Sequence, residues 1–232
     1  LPSLPFFAGF KSIYFDNRGT GLSDKPDGIY TVEAMADDAS NLLKALGIAK
    51  AKVFGVSMGG MIAQELTLRH PEQVTKVVLG CTMAGGTTAK MAALEIVERL
   101  MTANKIMASE PEKAFDLLMP ALMPAEFVAA HPELKQMMVA GAKMMPPTPP
   151  ETSDRAMAGI QTFNAYDRLG QIKCPVLIVH GDKDVLVPAE NATVIKSKIP
   201  QAEMYIIPAA GHAFQAADPI GIHQKIVEWL RN

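Results

Sequence analysis

The sequence has only two cysteines, no long apolar run and almost no net charge, and each of these deficits excludes a class of protein. Two cysteines, Cys81 and Cys174, are too few for a disulfide framework and show no metal-ligand spacing. No apolar run approaches the roughly 20 residues of a membrane span. A net charge of −2, with no Lys/Arg-rich run, argues against nucleic acid or an anionic membrane as a partner.

Cofactor motifs are also missing from the sequence. It contains no phosphate-cradling glycine loop and no dinucleotide fingerprint. Histidine, cysteine and carboxylate residues do not cluster at ligand spacing, so we expect no metal and no cofactor. Unpaired thiols favour a reducing compartment and hence a cytoplasmic location; any signal peptide would precede Leu1. The composition is compatible with a homo-oligomer.

The most informative feature that is present is a serine on a predicted sharp turn. Residues 55–59 read Gly-Val-Ser-Met-Gly, a G-x-S-x-G motif between a predicted strand, Ala51–Gly55, and a predicted helix, Met58–Arg69. A Cβ atom at Gly55 or Gly59 is expected to collide with the neighbouring strand or helix. The helix directs its positive end and its free N–H groups at Ser57. This is the pattern of a nucleophile elbow.

A serine nucleophile needs a base, and five histidines compete for that role. His212 lies in a loop of small residues just after a predicted strand, Met204–Ile207. Loops at the carboxyl ends of strands are where an open α/β sheet builds its site, so we expect His212 to be the base. The other four are expected at helix ends, at a strand end or on a solvent-exposed helix face: His70, His131, His180 and His223.

The acid that orients the base has two candidates, Asp182 and Asp184, in the stretch His-Gly-Asp-Lys-Asp-Val-Leu-Val-Pro. One of them could cap the turn through its own backbone, and spacing alone does not choose between them. The position after another predicted strand, Val74–Gly80, holds Cys81 and Thr82, which excludes an acid there.

The order serine, acid, histidine is that of the α/β-hydrolases. The motifs GVSMGG, HGDKDVLVP, AGH and FDNRGTGLSD resemble that superfamily in the same order, over nearly the whole chain apart from a variable middle. The nearest resemblance is to small esterases, enol-lactonases, C–C bond hydrolases and cofactor-free haloperoxidases. It implies that Ser57 is the nucleophile, Asp184 the acid and His212 the base, with the Met58 N–H as an oxyanion donor. It also implies that the stretch containing Arg18 is a structural turn, and that Arg18 does not bind a substrate carboxylate.

The order of predicted elements implies an α/β-hydrolase fold, with a mainly parallel sheet covered by helices on both faces. Strands alternate with helices from Ser12–Phe15 onward, and the last predicted helix is Pro219–Arg231 with Asp218 as its N-cap. We expect the core to comprise residues 1–84 and 167–232. The alternation stops in residues 85–166, which we expect to form a helical cap ending in an extended hinge at 144–150. The cap helices are predicted at Ala92–Met101, Pro111–Leu118 and His131–Lys143.

Eleven of the fifteen methionines lie in residues 83–157, which suggests either a loosely specified helical core or a tolerant apolar roof over a substrate. We therefore expect a serine hydrolase that cleaves a small to medium, largely apolar ester or lactone. The alternatives are a cofactor-free haloperoxidase or perhydrolase, and a non-catalytic ligand-binding or crippled protein of the same fold. By resemblance we also expect roughly 30–45 residues before Leu1, carrying early strands and a second oxyanion donor.

Overall fold

A computed structural model describes residues 4–146 and 148–232. At its centre is a sheet of four parallel strands in the order β1-β2-β3-β4. The strands are β1 (Ala51–Val56), β2 (Val74–Gly80), β3 (Val176–Gly181) and β4 (Glu203–Ile207). Because the strands are parallel, their carboxyl ends meet at one edge of the sheet, where loops from different strands come together.

Helices follow the strands and fill a long insertion between β2 and β3. In chain order they are α1 (Val32–Ala45), α2 (Met58–Arg69), α3 (Leu94–Ile106), α4 (Pro111–Leu122), α5 (Ala125–Ala130), α6 (Glu133–Met144), α7 (Pro150–Thr162), α8 (Glu190–Lys198) and α9 (Pro219–Arg231). Among the described residues, no helix is long and apolar enough to cross a membrane.

Alternate residues of the strands pack into two apolar cores on opposite faces of the sheet. On one face, Ile178 of β3 packs with buried side chains of α1, α2 and α8. On the other face, Val179 packs with Ile222 and Ile226 of α9. The two central strands, β2 and β3, are therefore covered on both sides, as the alternation of strands and helices predicted.

The bounds of three elements agree with the predicted ones: α2, β2 and α9. The carboxylate of Asp218 accepts a hydrogen bond from the Gly221 N–H at 3.0 Å, which is the predicted N-cap of α9. The predicted strand Ser12–Phe15 is wrong, because these residues belong to no strand of the described chain. A strand is formed by ladder hydrogen bonds to a neighbour, and apolar sequence alone does not supply that neighbour.

The insertion between β2 and β3 contains more helix than predicted. Helix α4 continues to Leu122 through Pro120, and α5 and α7 were not anticipated. The predicted hinge gives way to helix at Pro150, which occupies the first helical position, where proline costs no hydrogen bond. Helices α3, α4 and α6 share a separate apolar cluster that includes Phe115, Leu118 and Val139.

Candidate active site

Ser57 lies between β1 and α2 in a backbone conformation that side chains rarely adopt, with φ 57° and ψ −123°. Backbone hydrogen bonds hold it there. The Ser57 N–H donates to the Gly80 carbonyl at 2.8 Å, and the Ser57 carbonyl accepts from the Gly60 N–H at 2.9 Å and from the Thr82 hydroxyl at 2.8 Å. Strained residues persist where the surroundings over-determine them, and they cluster at functional sites.

Two glycines allow the close packing behind this turn, but they are not the two that were predicted. A Cβ atom at Gly55 would collide with the Gly59 carbonyl, as expected. A Cβ atom at Gly59 would meet no other atom within 4 Å, so the prediction for Gly59 is wrong. The tight position is instead Gly60, where a Cβ atom would lie 2.6 Å from the Thr82 Cβ. Helix α2 therefore packs against the end of β2 through Gly60.

Met58 is the first residue of α2, so its N–H has no acceptor within the helix. The same end of the helix carries the positive end of the backbone dipole. Both features favour negative charge beside Ser57.

Asp184 lies in the turn after β3 and is buried. Its Oδ1 accepts hydrogen bonds from the Leu186 N–H at 2.9 Å and the Val187 N–H at 2.8 Å. Its Oδ2 accepts one from His212 Nδ1 at 2.8 Å. Burial by itself would raise the pKa of Asp184, but hydrogen bonds from His180 and His212, the charge of His212 and the Val187 N–H together lower it to about 2. The carboxylate is therefore ionised at neutral pH.

His212 is buried in the loop after β4. The next residue, Ala213, donates its N–H to the Leu122 carbonyl at 2.9 Å, which ties this loop to the end of α4. An ionised carboxylate only accepts hydrogen bonds, so a hydrogen lies on Nδ1, and in the neutral imidazole the lone pair is on Nε2. Within the described residues, no hydrogen bond joins His212 to the Ser57 hydroxyl.

Strand register explains why these side chains share one edge of the sheet. Val56 of β1 pairs with Gly80 of β2, and Gly80 pairs with Val179 of β3. On the far side, Gly181 of β3 pairs with Ile207 of β4. Ser57, Asp184 and His212 thus follow the ends of β1, β3 and β4. The other acid candidate, Asp182, is exposed, and its N–H donates to the Ile207 carbonyl at 3.1 Å.

Cys81, which follows β2, was not expected to join this group. One potential ligand atom from each of Cys81, Asp184 and His212 lies within 4.8 Å of the others. The expectation that cysteine, histidine and carboxylate do not cluster is therefore wrong for these three, since sheet register and not sequence spacing brings them together. Burial, together with the charge of Asp184, raises the pKa of the Cys81 thiol.

The other four histidines have partners of their own. His70 contacts Asp37 at 2.8 Å, and His131 is exposed beside Glu133. His223 was expected on the exposed face of the last helix, and this is wrong. It is buried and stacks on Phe6 with ring centroids 4.3 Å apart. His180 lies in the core near the end of β3, as expected, but its ring also lies 3.3 Å from the Asp184 carboxylate.

Arg18 forms a structural contact. Its guanidinium donates two hydrogen bonds of 2.6 Å to the carboxylate of Asp38 on α1, which raises the pKa of Arg18. The carboxylate of Asp16 accepts from the Leu22 N–H at 2.9 Å. These charges are satisfied within the protein, as the resemblance implied.

A cavity of about 630 Å³ lies between the helical insertion and the start of α2; Met58 lines it, whereas Ser57 and His212 are not among its lining residues. Met58 and Thr20 line it on the side of the sheet domain. On the opposite side it is lined largely by apolar side chains of α3, α7 and the adjoining loops: Leu100, Met107, Met145, Met157 and Ile160. This composition suits an apolar ligand with a few polar groups.

Comparison with known proteins agrees with this architecture. Residues 1–219 match the model of the alpha/beta hydrolase fold family. The chain is 33% identical over 219 residues to "Putative carbamate hydrolase RutD" of Azorhizobium caulinodans, covering 89% of this chain and 76% of that protein. A thermophilic esterase from Thermogutta terrifontis is 30% identical, with a TM-score of 0.75, over 93% of this chain and 78% of the esterase. Est816, described as an N-acyl homoserine lactone degrading enzyme, is 31% identical, with a TM-score of 0.68. The match covers 93% of this chain and 80% of Est816. The chain therefore belongs to the α/β-hydrolase fold family and is a hydrolase.

Proposed function

We propose that this protein is a serine hydrolase that cleaves a small to medium, largely apolar carboxylic ester or lactone through Ser57, His212 and Asp184. The observation that carries the proposal is the 2.8 Å hydrogen bond from His212 Nδ1 to Asp184, at the sheet edge where Ser57 occupies its strained turn. That bond leaves His212 Nε2 free to accept a proton, which is what a serine hydroxyl needs from its base.

In the proposed reaction, His212 Nε2 takes the Ser57 hydroxyl proton while Ser57 Oγ attacks the substrate carbonyl carbon. The Met58 N–H stabilises the negative charge on the carbonyl oxygen. The tetrahedral intermediate collapses as His212 returns the proton to the departing alkoxide. Water, activated by His212, then hydrolyses the acyl-enzyme. Asp184 stays ionised and stabilises the imidazolium in both halves of the reaction.

The substrate class is inferred from the cavity. We take residues 85–166 as a cap over the site and residues 1–84 and 167–232 as the core. Methionine adapts to irregular apolar shapes, so a methionine-rich wall favours acyl groups of varied length. The similarity to proteins described as an esterase and as a lactone-degrading enzyme supports ester or lactone cleavage. The name of the RutD relative makes carbamates the first further class of substrate to test.

A fluorophosphonate probe tests the nucleophile directly. We expect labelling of the peptide that contains Ser57 and none in Ser57→Ala, which should also lower turnover by about 10⁶ with folding unchanged. An intact protein that neither labels nor turns over would instead indicate a ligand-binding member of the fold. Residual turnover of Ser57→Ala within tenfold of the parent would contradict the proposal.

Substrate panels then resolve the reaction. We expect activity toward p-nitrophenyl esters of different chain lengths and toward lactones, in the absence of peroxide. Activity that appears only with peroxide and a carboxylic acid would assign the perhydrolase reaction. Cleavage of carbamates alone would reject the ester and lactone assignment while leaving the serine mechanism intact.

A further inference from the structure

A second histidine contacts the same carboxylate oxygen as His212. His180 Nε2 lies 3.3 Å from Asp184 Oδ2, and both side chains are almost completely buried. His180 is the penultimate residue of β3, and strand alternation places it on the same face as Ile178. The proposed reaction assigns no role to this side chain.

The protonation of His180 follows from its other contact. His180 Nε2 lies 2.8 Å from the carbonyl oxygen of Val187, and a carbonyl only accepts hydrogen bonds. The hydrogen therefore lies on Nε2, where it is shared between the Val187 carbonyl and Asp184 Oδ2. Nδ1 is buried and has no hydrogen-bond partner among the described residues. A proton on Nδ1 would be a buried donor without an acceptor, so the ring is neutral.

With His180 included, four N–H groups surround the carboxylate. Oδ1 accepts from the Leu186 and Val187 backbone N–H groups, Oδ2 accepts from His212, and His180 Nε2 makes a longer contact of 3.3 Å with Oδ2. A carboxylate offers about four acceptor sites, and the Cys81 thiol also hydrogen-bonds to it. The Cys81 thiol nearby stays protonated because burial and the charge of Asp184 raise its pKa. The backbone donors fix one oxygen, and the two imidazoles fix the other.

We propose that His180 is a positioning residue for the reaction, which holds Asp184 Oδ2 in line with His212 Nδ1 through a neutral Nε2–H donor. This inference rests on the proposed function, since it presumes that Asp184 orients the base.

The surroundings of His180 favour a role as hydrogen-bond donor over a role in packing alone. An apolar side chain would fill this core position without burying a nitrogen that has no partner, which is costly. The cost is offset if the opposite nitrogen stabilises the buried carboxylate. A neutral donor also adds no second positive charge beside His212, which itself becomes positive when it takes the serine proton. His180 thus supports Asp184 without competing with the imidazolium.

Two substitutions separate the donor from the bulk of the side chain. His180→Gln places an amide N–H2 group where Nε2 stands, whereas His180→Asn places it one bond short, near the position of Nδ1. We expect His180→Asn to lower kcat by about 10-fold to 100-fold, with KM changed less than threefold, as for the loss of a hydrogen bond to a charged group. His180→Gln should retain most of the rate. Ile178→Val, on the same face of the strand, is the packing control and should lower the melting temperature without lowering kcat.

The low-field proton resonance of His212 Nδ1–H gives a readout that packing alone would not move. We expect it to broaden or move upfield in His180→Asn and to persist in His180→Gln and Ile178→Val. Equal rates in the two His180 variants, with this resonance unchanged in both, would overturn the inference. His180→Phe, which keeps a ring but no donor, should behave as His180→Asn does; if it does not fold, the Gln and Asn comparison still decides.

Ser57→Ala, assayed in parallel, keeps the two proposals distinct. If Ser57→Ala remains active, the serine mechanism fails. If Ser57→Ala is inactive while His180→Asn matches the parent, only the role of His180 fails.

Discussion

The imidazole of His212 and the carboxylate of Asp184 meet at 2.8 Å although the two residues are 28 positions apart in the chain. Each follows a different strand of the parallel sheet, and the two strands are neighbours, β3 and β4. The intervening chain forms α8 and returns to the same edge of the sheet. The contact is therefore a product of the βαβ crossover, which places both loops at the carboxyl ends of adjacent strands.

Substitution of the two aspartates should separate their roles. Asp184→Asn is expected to lower turnover by about 10⁴, because the amide can stabilise the wrong tautomer of His212. Asp182→Asn is the matched control, since Asp182 is exposed in the same turn, and its rate should remain within threefold of the parent. Steady-state kinetics on one ester substrate measures both. A larger loss in Asp182→Asn would move the acid to that residue.

Asp184 should make the free energy of unfolding depend on pH in the acid range. Its pKa is lowered to about 2 in the folded protein, so the carboxylate contributes stability that is present above its unfolded pKa of about 4 and is lost as the pH falls toward 2. Between pH 5 and pH 2 the loss is on the order of 2 kcal/mol of unfolding free energy. Urea unfolding of the parent and of Asp184→Asn checks this, since the difference between them should shrink as the pH falls. A constant difference across that range would contradict the assignment.

Two neighbouring glycines in α2 should respond to alanine in opposite ways. Gly60→Ala is expected to destabilise the protein by about 1–3 kcal/mol, because the new methyl group would overlap Thr82. Gly59→Ala meets open space within a helix, so it should be neutral or stabilise the protein by up to about 1 kcal/mol. Denaturant unfolding of both variants is the measurement. If Gly59→Ala proves the more damaging of the two, the packing of α2 against β2 described above is incorrect.

The cavity wall should control acyl-chain preference. Met107→Ala and Met157→Ala enlarge the cavity, so both should shift the preference toward longer acyl chains and change the rate on an acetate ester less than threefold. Met137, which is exposed and does not line the cavity, provides the control. Rates with p-nitrophenyl acetate, butyrate and octanoate measure the shift. Equal losses on the short and long esters would indicate that these methionines only support the fold of the insertion.

Local sequence determined those features that depend on short-range spacing. The bounds of α2, β2 and α9 follow from apolar periodicity and from signals such as Asp218 at an N-cap with proline at the first helical position. The serine turn was predictable as well, because its glycines, strand and helix are adjacent in the chain. The resemblance added Asp184, which spacing alone could not separate from Asp182.

Only the tertiary structure decided which distant groups meet. Sheet register places Cys81 beside Asp184 and His212, and the packing of α2 brings Gly60 rather than Gly59 against Thr82. The packing of α9 against Phe6 buries His223 on a helix face that looked polar in sequence. The apolar stretch at Ser12–Phe15 forms no strand, since a strand also requires a partner. Periodicity specifies which face of an element is apolar, whereas the neighbour that covers that face is chosen by the packing of the whole chain.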